Sequence, residues 1–214
     1  MITATRIIGV DAAHRVPNHG SKCRSLHGHR YTFEATAGAE QLQTAGEAEG
    51  MVIDFGVLKE AMMFIIDRLI DHGMIMWKDD PLLREVYPET TQFARSAPED
   101  KALVAIMMER DGYMFFAQGL CSAGKLLIVP FIPTAENLAK FFFTLLNTWL
   151  TNRSNGSVFM VNLKVYETPN CFSEYPSSYK RDKTQVCDCT AKSTAQVDIT
   201  GDSSTSTHIY RSQD

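Results

Sequence analysis

From His29 onward, apolar and polar residues alternate: Tyr31, Phe33, Ala35 and Ala37 against Arg30, Thr32, Glu34 and Thr36. A period of two predicts a half-buried strand. The preceding segment, Ile2 to Ala13, is rich in β-branched and small residues and predicts a first strand. A loop containing Pro17, Asn18, Gly20 and Ser21 joins the two, so they should pair antiparallel. After Asp54-Phe55-Gly56 the period becomes helical, with Leu58, Met62, Ile65 and Leu69 in one stripe and Lys59, Glu60, Asp67 and Arg68 away from it. A second helix should start at Thr134, a natural N-cap, and run to about Thr151-Asn152, with Leu138, Phe141, Leu145 and Trp149 facing one way. Asn155-Gly156 then reads as a turn, and Val158 to Glu167 as a closing strand. Residues 73–130 are less regular and are punctuated by Pro81, Pro88 and Pro98. Within them, Ala102 to Met108 suggests a short helix, and Tyr113 to Phe116 with Leu126 to Val129 a hairpin.

Composition narrows the class. In 214 residues, 44% are hydrophobic and 21% charged, enough for a folded core. The longest apolar runs, such as Ala61 to Ile66, are about a third of a membrane span, and the first residues lack the apolar stretch of a signal peptide. A net charge of −4 argues against general nucleic-acid binding. Five cysteines at irregular spacing do not read as a disulfide framework, and Cys121, Cys171, Cys187 and Cys189 receive no role. A soluble cytoplasmic protein that binds neither nucleic acid nor membrane is expected. Lys180 to Asp214 has 11 Ser or Thr but only four Leu, Ile, Val or Phe, and its five basic and five acidic residues balance. Such a tail buries little apolar area against the entropy of ordering it, so a single domain over residues 1–179 with a loose tail is expected.

The candidate chemistry lies between the first two strands, where four of the six histidines fall within sixteen residues. His27 and His29, two apart in an extended strand, share a face, and His14 at the end of the first strand could meet them. Three imidazoles on one face suit Zn²⁺ with an open fourth position. The bland reading is hydrogen-bonded or surface histidine. Cys23 could be a fourth ligand, an inert thiol, or a thiolate acid/base. Charge favours the last, since positive neighbours stabilise a thiolate. From Ala12 to Phe33 there is no acidic residue, but Arg15, Lys22, Arg24 and Arg30 are present. The same patch in a net-acidic protein points to an anionic substrate. Glu167 is in phase with Val161, Leu163 and Val165, and a carboxylate on that apolar face needs a donor.

The ordered set Ala12-Ala13-His14-Arg15, Cys23-x3-His27-Gly28-His29, Val52-Ile53-Asp54-Phe55, Asp71-His72, Pro133-Thr134-Ala135-Glu136-Asn137 and Glu167-Thr168 resembles the 6-carboxy-5,6,7,8-tetrahydropterin synthase family. That family belongs to the queuosine and 7-deazaguanine pathway and is related to 6-pyruvoyl-tetrahydropterin synthase. The three-residue gap between Cys23 and His27 is that of the carboxy branch, and a cysteine there speaks against the branch that diverts substrate toward folate. The resemblance implies an α+β tunnelling fold: an antiparallel sheet with two helices on one face, joined into a barrel in a homo-oligomer, a trimer or hexamer. It implies Zn²⁺ on His14, His27 and His29, and Cys23, Asp71 and His72 as acid/base groups that different chains can supply. Glu167, with Thr168 beside it, would anchor the pterin, and Arg15, Lys22 and Arg24 would hold its triphosphate. Asp54, Phe55, Thr134, Glu136 and Asn137 are expected to serve structure. Residues 73–130 would be an insertion over the pocket mouth or at the subunit contact. Two other readings stay open, a 6-pyruvoyl product and a non-catalytic zinc-binding assembly protein.

Overall fold

A computed structural model of the chain describes residues 1–87, 113–116 and 124–176. The suggested helix at Ala102 to Met108 and the tail from Lys180 lie outside those residues. The first two strands form as the alternation requires. β1 (Ile2–His14) and β2 (His27–Ala39) pair antiparallel without interruption, from Ile2 opposite Ala39 to His14 opposite His27. Val10, Tyr31, Phe33, Ala35 and Ala37 are fully buried on one face of this ribbon.

The helix α1 runs from Phe55 to Ile70, with a π turn over Met63–Asp67 between α-helical stretches Phe55–Met62 and Arg68–Ile70. Asp54 caps it by accepting from the Gly56 N–H. The stripe Leu58, Met62, Ile65 and Leu69 is buried, joined by Ile66 and Ile70 where the π turn widens the helix. α1 leads into β3 (Gly73–Trp77), then a short helix α2 (Leu83–Val86) and strands β4 (Met114–Phe116) and β5 (Lys125–Val129). The 19-residue α3 (Ala135–Arg153) is capped by Thr134, whose hydroxyl accepts from Asn137 N–H. Asn155 and Gly156 turn the chain with positive φ, 51° and 83°. β6 (Phe159–Thr168) and β7 (Cys171–Tyr175) close the fold.

Among the described residues seven strands form one sheet, in the order β4-β5-β3-β1-β2-β6-β7. It is mixed, which corrects the expected antiparallel sheet: β3 lies parallel to both β1 and β5. α1 is the physical reason. It carries the chain back along the sheet, from the Ala39 end of β2 to the far end of β1, where Gly73 lies opposite Ala12 and β3 runs on in the direction of β1. The tract 73–130 thereby supplies three of the seven strands.

α1 and α3 bury their apolar faces against the same sheet face in one core. α3 is rotated by about one residue from the predicted stripe. Leu138, Ala139, Phe142, Leu146 and Leu150 are buried, while Phe141, Leu145 and Trp149 flank them. A second difference lies in β6, where an irregularity opposite Thr36 and Ala37 shifts the phase, so Met160 is buried in place of Val161. Phe142 meets Phe33 edge-on at 5.4 Å between centroids, with no exposure of either ring. Phe142→Ala should therefore cost about 3–5 kcal/mol in urea unfolding, and Trp149→Ala distinctly less; the reverse order would mean that α3 presents the predicted stripe.

Candidate metal centre

The β1–β2 register places His14 opposite His27 and Ala12 opposite His29. All three histidines thus project to the face that carries the helices. Gly28 lies between two of them, where a Cβ would come within 3.3 Å of the Ala12 carbonyl oxygen. The ring centroids are 4.6, 4.9 and 5.3 Å apart, and one nitrogen from each ring lies within 4.8 Å of the others.

Two of the rings are oriented by backbone carbonyls. His14 Nδ1–H donates to the Pro133 carbonyl at 2.7 Å, and His27 Nδ1–H to that of Ser25 at 2.8 Å. A carbonyl only accepts, so these nitrogens carry the protons and each Nε2 keeps its lone pair. His14 Nε2 is buried without a hydrogen-bond partner. An unsatisfied acceptor there is costly, and a cation held by the three imidazoles removes the deficit. Burial, together with the neighbouring His27 and His29, lowers the His14 pKa to about 4 despite the bond to Pro133. His29 is also lowered, by burial and by His27, against the opposing charge of Glu167. Neutral imidazoles are the form that binds metal. The donor set fits Zn²⁺ with an open position.

Glu167, at the end of β6, places Oε1 3.8 Å from His14 Nε2, beyond hydrogen-bond reach. The two share a cleft of about 280 Å³ with Cys23, Glu136 and Cys171. Cys23 sits half-buried on the single 3₁₀ turn Lys22–Arg24, anchored by the Val16 N–H on its carbonyl at 2.8 Å. Lys22 and Arg24 flank it, exposed. Arg15 is engaged elsewhere: its Nε donates at 2.7 Å to Asp80, a buried carboxylate that no local pattern singles out. The Thr168 hydroxyl lies 3.0 Å from Cys171 Sγ and accepts from Asn170 N–H at 3.3 Å.

Asp71 and His72 follow directly after α1. His72 has a φ of 52°, left-handed backbone that a non-glycine residue rarely adopts. Its N–H donates to the Asp11 carbonyl at 2.7 Å, and the Asp11 N–H returns a bond to Asp71 Oδ1 at 2.9 Å. His72 Nδ1–H donates to Asp71 Oδ2 at 2.8 Å, which leaves Nε2 free. Burial alone would raise the Asp71 pKa, but the bonds from Asp11 and His72 and the charges of His72 and Lys125 hold it below its ordinary value. His72 shares a groove with Asp11, His29 and Lys125. Cys23 does not line that groove, so the fold sets the two acid/base candidates in different clefts flanking the three histidines. The Pro133 and Ser25 carbonyls escaped the sequence reading because a backbone group has no signature there.

A mixed sheet covered by two helices, with three clustered histidines on its first two strands, defines an α+β class with a candidate metal site. Comparison places it. The family model for 6-pyruvoyl tetrahydropterin synthase matches residues 3–178, and the chain belongs to that family. The 6-carboxy-5,6,7,8-tetrahydropterin synthase of Rickettsia felis is 34% identical over 175 residues, 81% of this chain and 99% of the relative. The protein of the same name from Aquifex aeolicus is 33% identical over 156 residues, 72% of this chain and 76% of the relative. In fold, the chain is similar to a solved uncharacterized protein from Wolinella succinogenes, with TM-score 0.59 at 22% identity, covering 81% of this chain and 98% of that one.

The lowered His14 pKa has a definite consequence for the metal-free protein. The unfolded chain takes up this proton near pH 6.5 and the folded chain only near pH 4. Stability is therefore complete above pH 6.5 and is lost progressively as pH falls toward 4. Ring ¹⁵N shifts should keep His14 in the neutral Nδ1–H form at pH 5.5. A half-protonated ring at pH 6.5 would contradict the burial described.

Proposed function

We propose that this chain is a zinc-dependent lyase that converts 7,8-dihydroneopterin triphosphate to 6-carboxy-5,6,7,8-tetrahydropterin, releasing acetaldehyde and triphosphate. The observation that carries the reading is the buried, partnerless Nε2 of His14 beside His27 and His29 in a chain of this family. The carboxy product is supported by the names of the relatives and by the three residues between Cys23 and His27. The product would feed queuosine or 7-deazaguanine synthesis in the cytoplasm. No helix among the described residues is long and apolar enough to cross a membrane.

His14 and His27, through Nε2, and His29 would hold the zinc. When bound, Zn²⁺ supplies a Lewis acid that makes hydroxyl and adjacent C–H protons of the substrate side chain easier to remove. Cys23, in the cleft with His14 and Glu167, exchanges a proton with that side chain. His72 Nε2 is the complementary acid/base, and Asp71 fixes its tautomer and stabilises the imidazolium. The Glu167 carboxylate accepts from the amino group and adjacent ring N–H of the pterin, with Thr168 at its side. Lys22 and Arg24 bind the triphosphate, and Arg15 fixes the root of their loop through Asp80.

That Cys23 and His72 line different clefts of one chain supports a site that draws them from two subunits. The reading includes a homo-oligomer, a trimer or hexamer. Among the described residues β4 and β7 are sheet edges, the groups that barrel closure would pair.

Incubating the protein with zinc and the triphosphate, then identifying the pterin by mass spectrometry, tests the reaction. The 6-carboxy product is expected, and a 6-pyruvoyl product overturns the assignment. Cys23→Ala should lower kcat by about 10²–10⁴-fold while zinc content is kept. Zinc-edge absorption should find nitrogen and oxygen but no sulfur in the first shell; sulfur there would identify a closed structural site.

A further inference from the structure

We infer that Lys125, near the far end of residues 73–130, is a positioning residue for the Asp71–His72 pair. The inference rests on the reading of that pair as an acid/base group. Lys125 opens β5 directly opposite Gly73 of β3. Its stem passes across Gly73 so closely that a Cβ there would lie 3.0 Å from Lys125 Cδ and 3.2 Å from Cγ. The absence of a side chain at Gly73 thus opens the path for this lysine. At its end, Nζ donates to the Asp71 carbonyl and lies 3.5 Å from that of Asp67. Asp67 lies in the last turn of α1, where its carbonyl already accepts from the Asp71 N–H at 2.9 Å, and Asp71 is the C-cap, whose carbonyl has no partner within the helix and where the macrodipole favours a cation.

A simple helix end would use glycine in the left-handed position and need no lysine. Here that position is His72, a residue that resists the conformation, and its neighbours over-determine it. Asp11 holds it from one side with a reciprocal pair of backbone bonds, to the His72 N–H and to the Asp71 carboxylate. Lys125 holds it from the other through the Asp71 carbonyl, and its charge favours the Asp71 carboxylate that orients the imidazole. Lys125 also lines the groove into which His72 opens. The lysine therefore sets both the direction and the tautomer of His72 without touching the reacting atoms.

The test compares Lys125→Met, Lys125→Gln and Lys125→Arg in the full-length, zinc-loaded protein. Lys125→Met and Lys125→Gln should lower kcat about tenfold or more, with KM within about twofold and zinc content unchanged. Lys125→Arg, which keeps the cation, should recover most of the loss. Independently of turnover, the ring ¹⁵N shifts of His72 should report Nδ1–H in the wild type and a mixture with Nε2–H in Lys125→Met. If the wild type does not turn over the pterin but the tautomer shift appears, the functional reading fails and the positioning role stands. Unchanged kcat with an unchanged His72 spectrum overturns the inference. So does failure of both neutral variants to fold, which would assign Lys125 to the fold alone.

Discussion

The pairing of Ile2–His14 with His27–Ala39, unbroken along both strands, is the constraint on which the site depends. Side chains alternate between the faces of a sheet, so a slip of one residue would send His27 and His29 to the face away from the helices. It would also expose Tyr31 and Phe33, which are now fully buried. The aromatic half of the strand therefore fixes the register that the histidine half uses. Burial of Tyr31, Phe33, Ala35 and Ala37 against α1 and α3 supplies the free energy. The three imidazoles are aligned by it, although they add little apolar area of their own.

That alignment carries an electrostatic burden. His14 is almost wholly buried, and its free nitrogen faces two more imidazoles and no donor. Burial first, and then the neighbouring His27 and His29, disfavour a protonated His14, and its depressed pKa expresses both. The carbonyls of Pro133 and Ser25 add direction by taking the Nδ1 protons. A cluster without such partners would rotate and hydrogen-bond internally. With them, the lone pairs converge, and a metal held there would be linked to folding.

The acid/base candidates obey a different logic. Cys23 rides on a short turn in a loop, and Asp71–His72 on the strained exit from a helix. Each is fixed by hydrogen bonds to other parts of the chain: Val16 for one, Asp11 and Lys125 for the other. They open to separate clefts of the chain.

Much of this was legible in the order of the residues. Alternation from Tyr31 to Ala37 required the strand, the spacing of His27 and His29 put both on one face, and Thr134 marked the start of α3. Asp54 and the Asn155-Gly156 turn were equally local signals, since caps and turns involve neighbours in the chain. The parallel placement of β3 and β5 was not legible, because it depends on where α1 returns the chain. Nor was the one-residue rotation of α3, since Phe141 and Phe142 are equally apolar and it is long-range packing that sets Phe142 on Phe33 and Phe141 on Phe131. Lys125 reaches Asp71 from 54 residues away, and Pro133 reaches His14 from 119. The sequence by itself determined which side chains are available and which face of a strand they share. Only the tertiary structure decided their tautomers, their separation into two clefts and the role of tract 73–130, because those rest on backbone groups and long-range packing that no local pattern encodes.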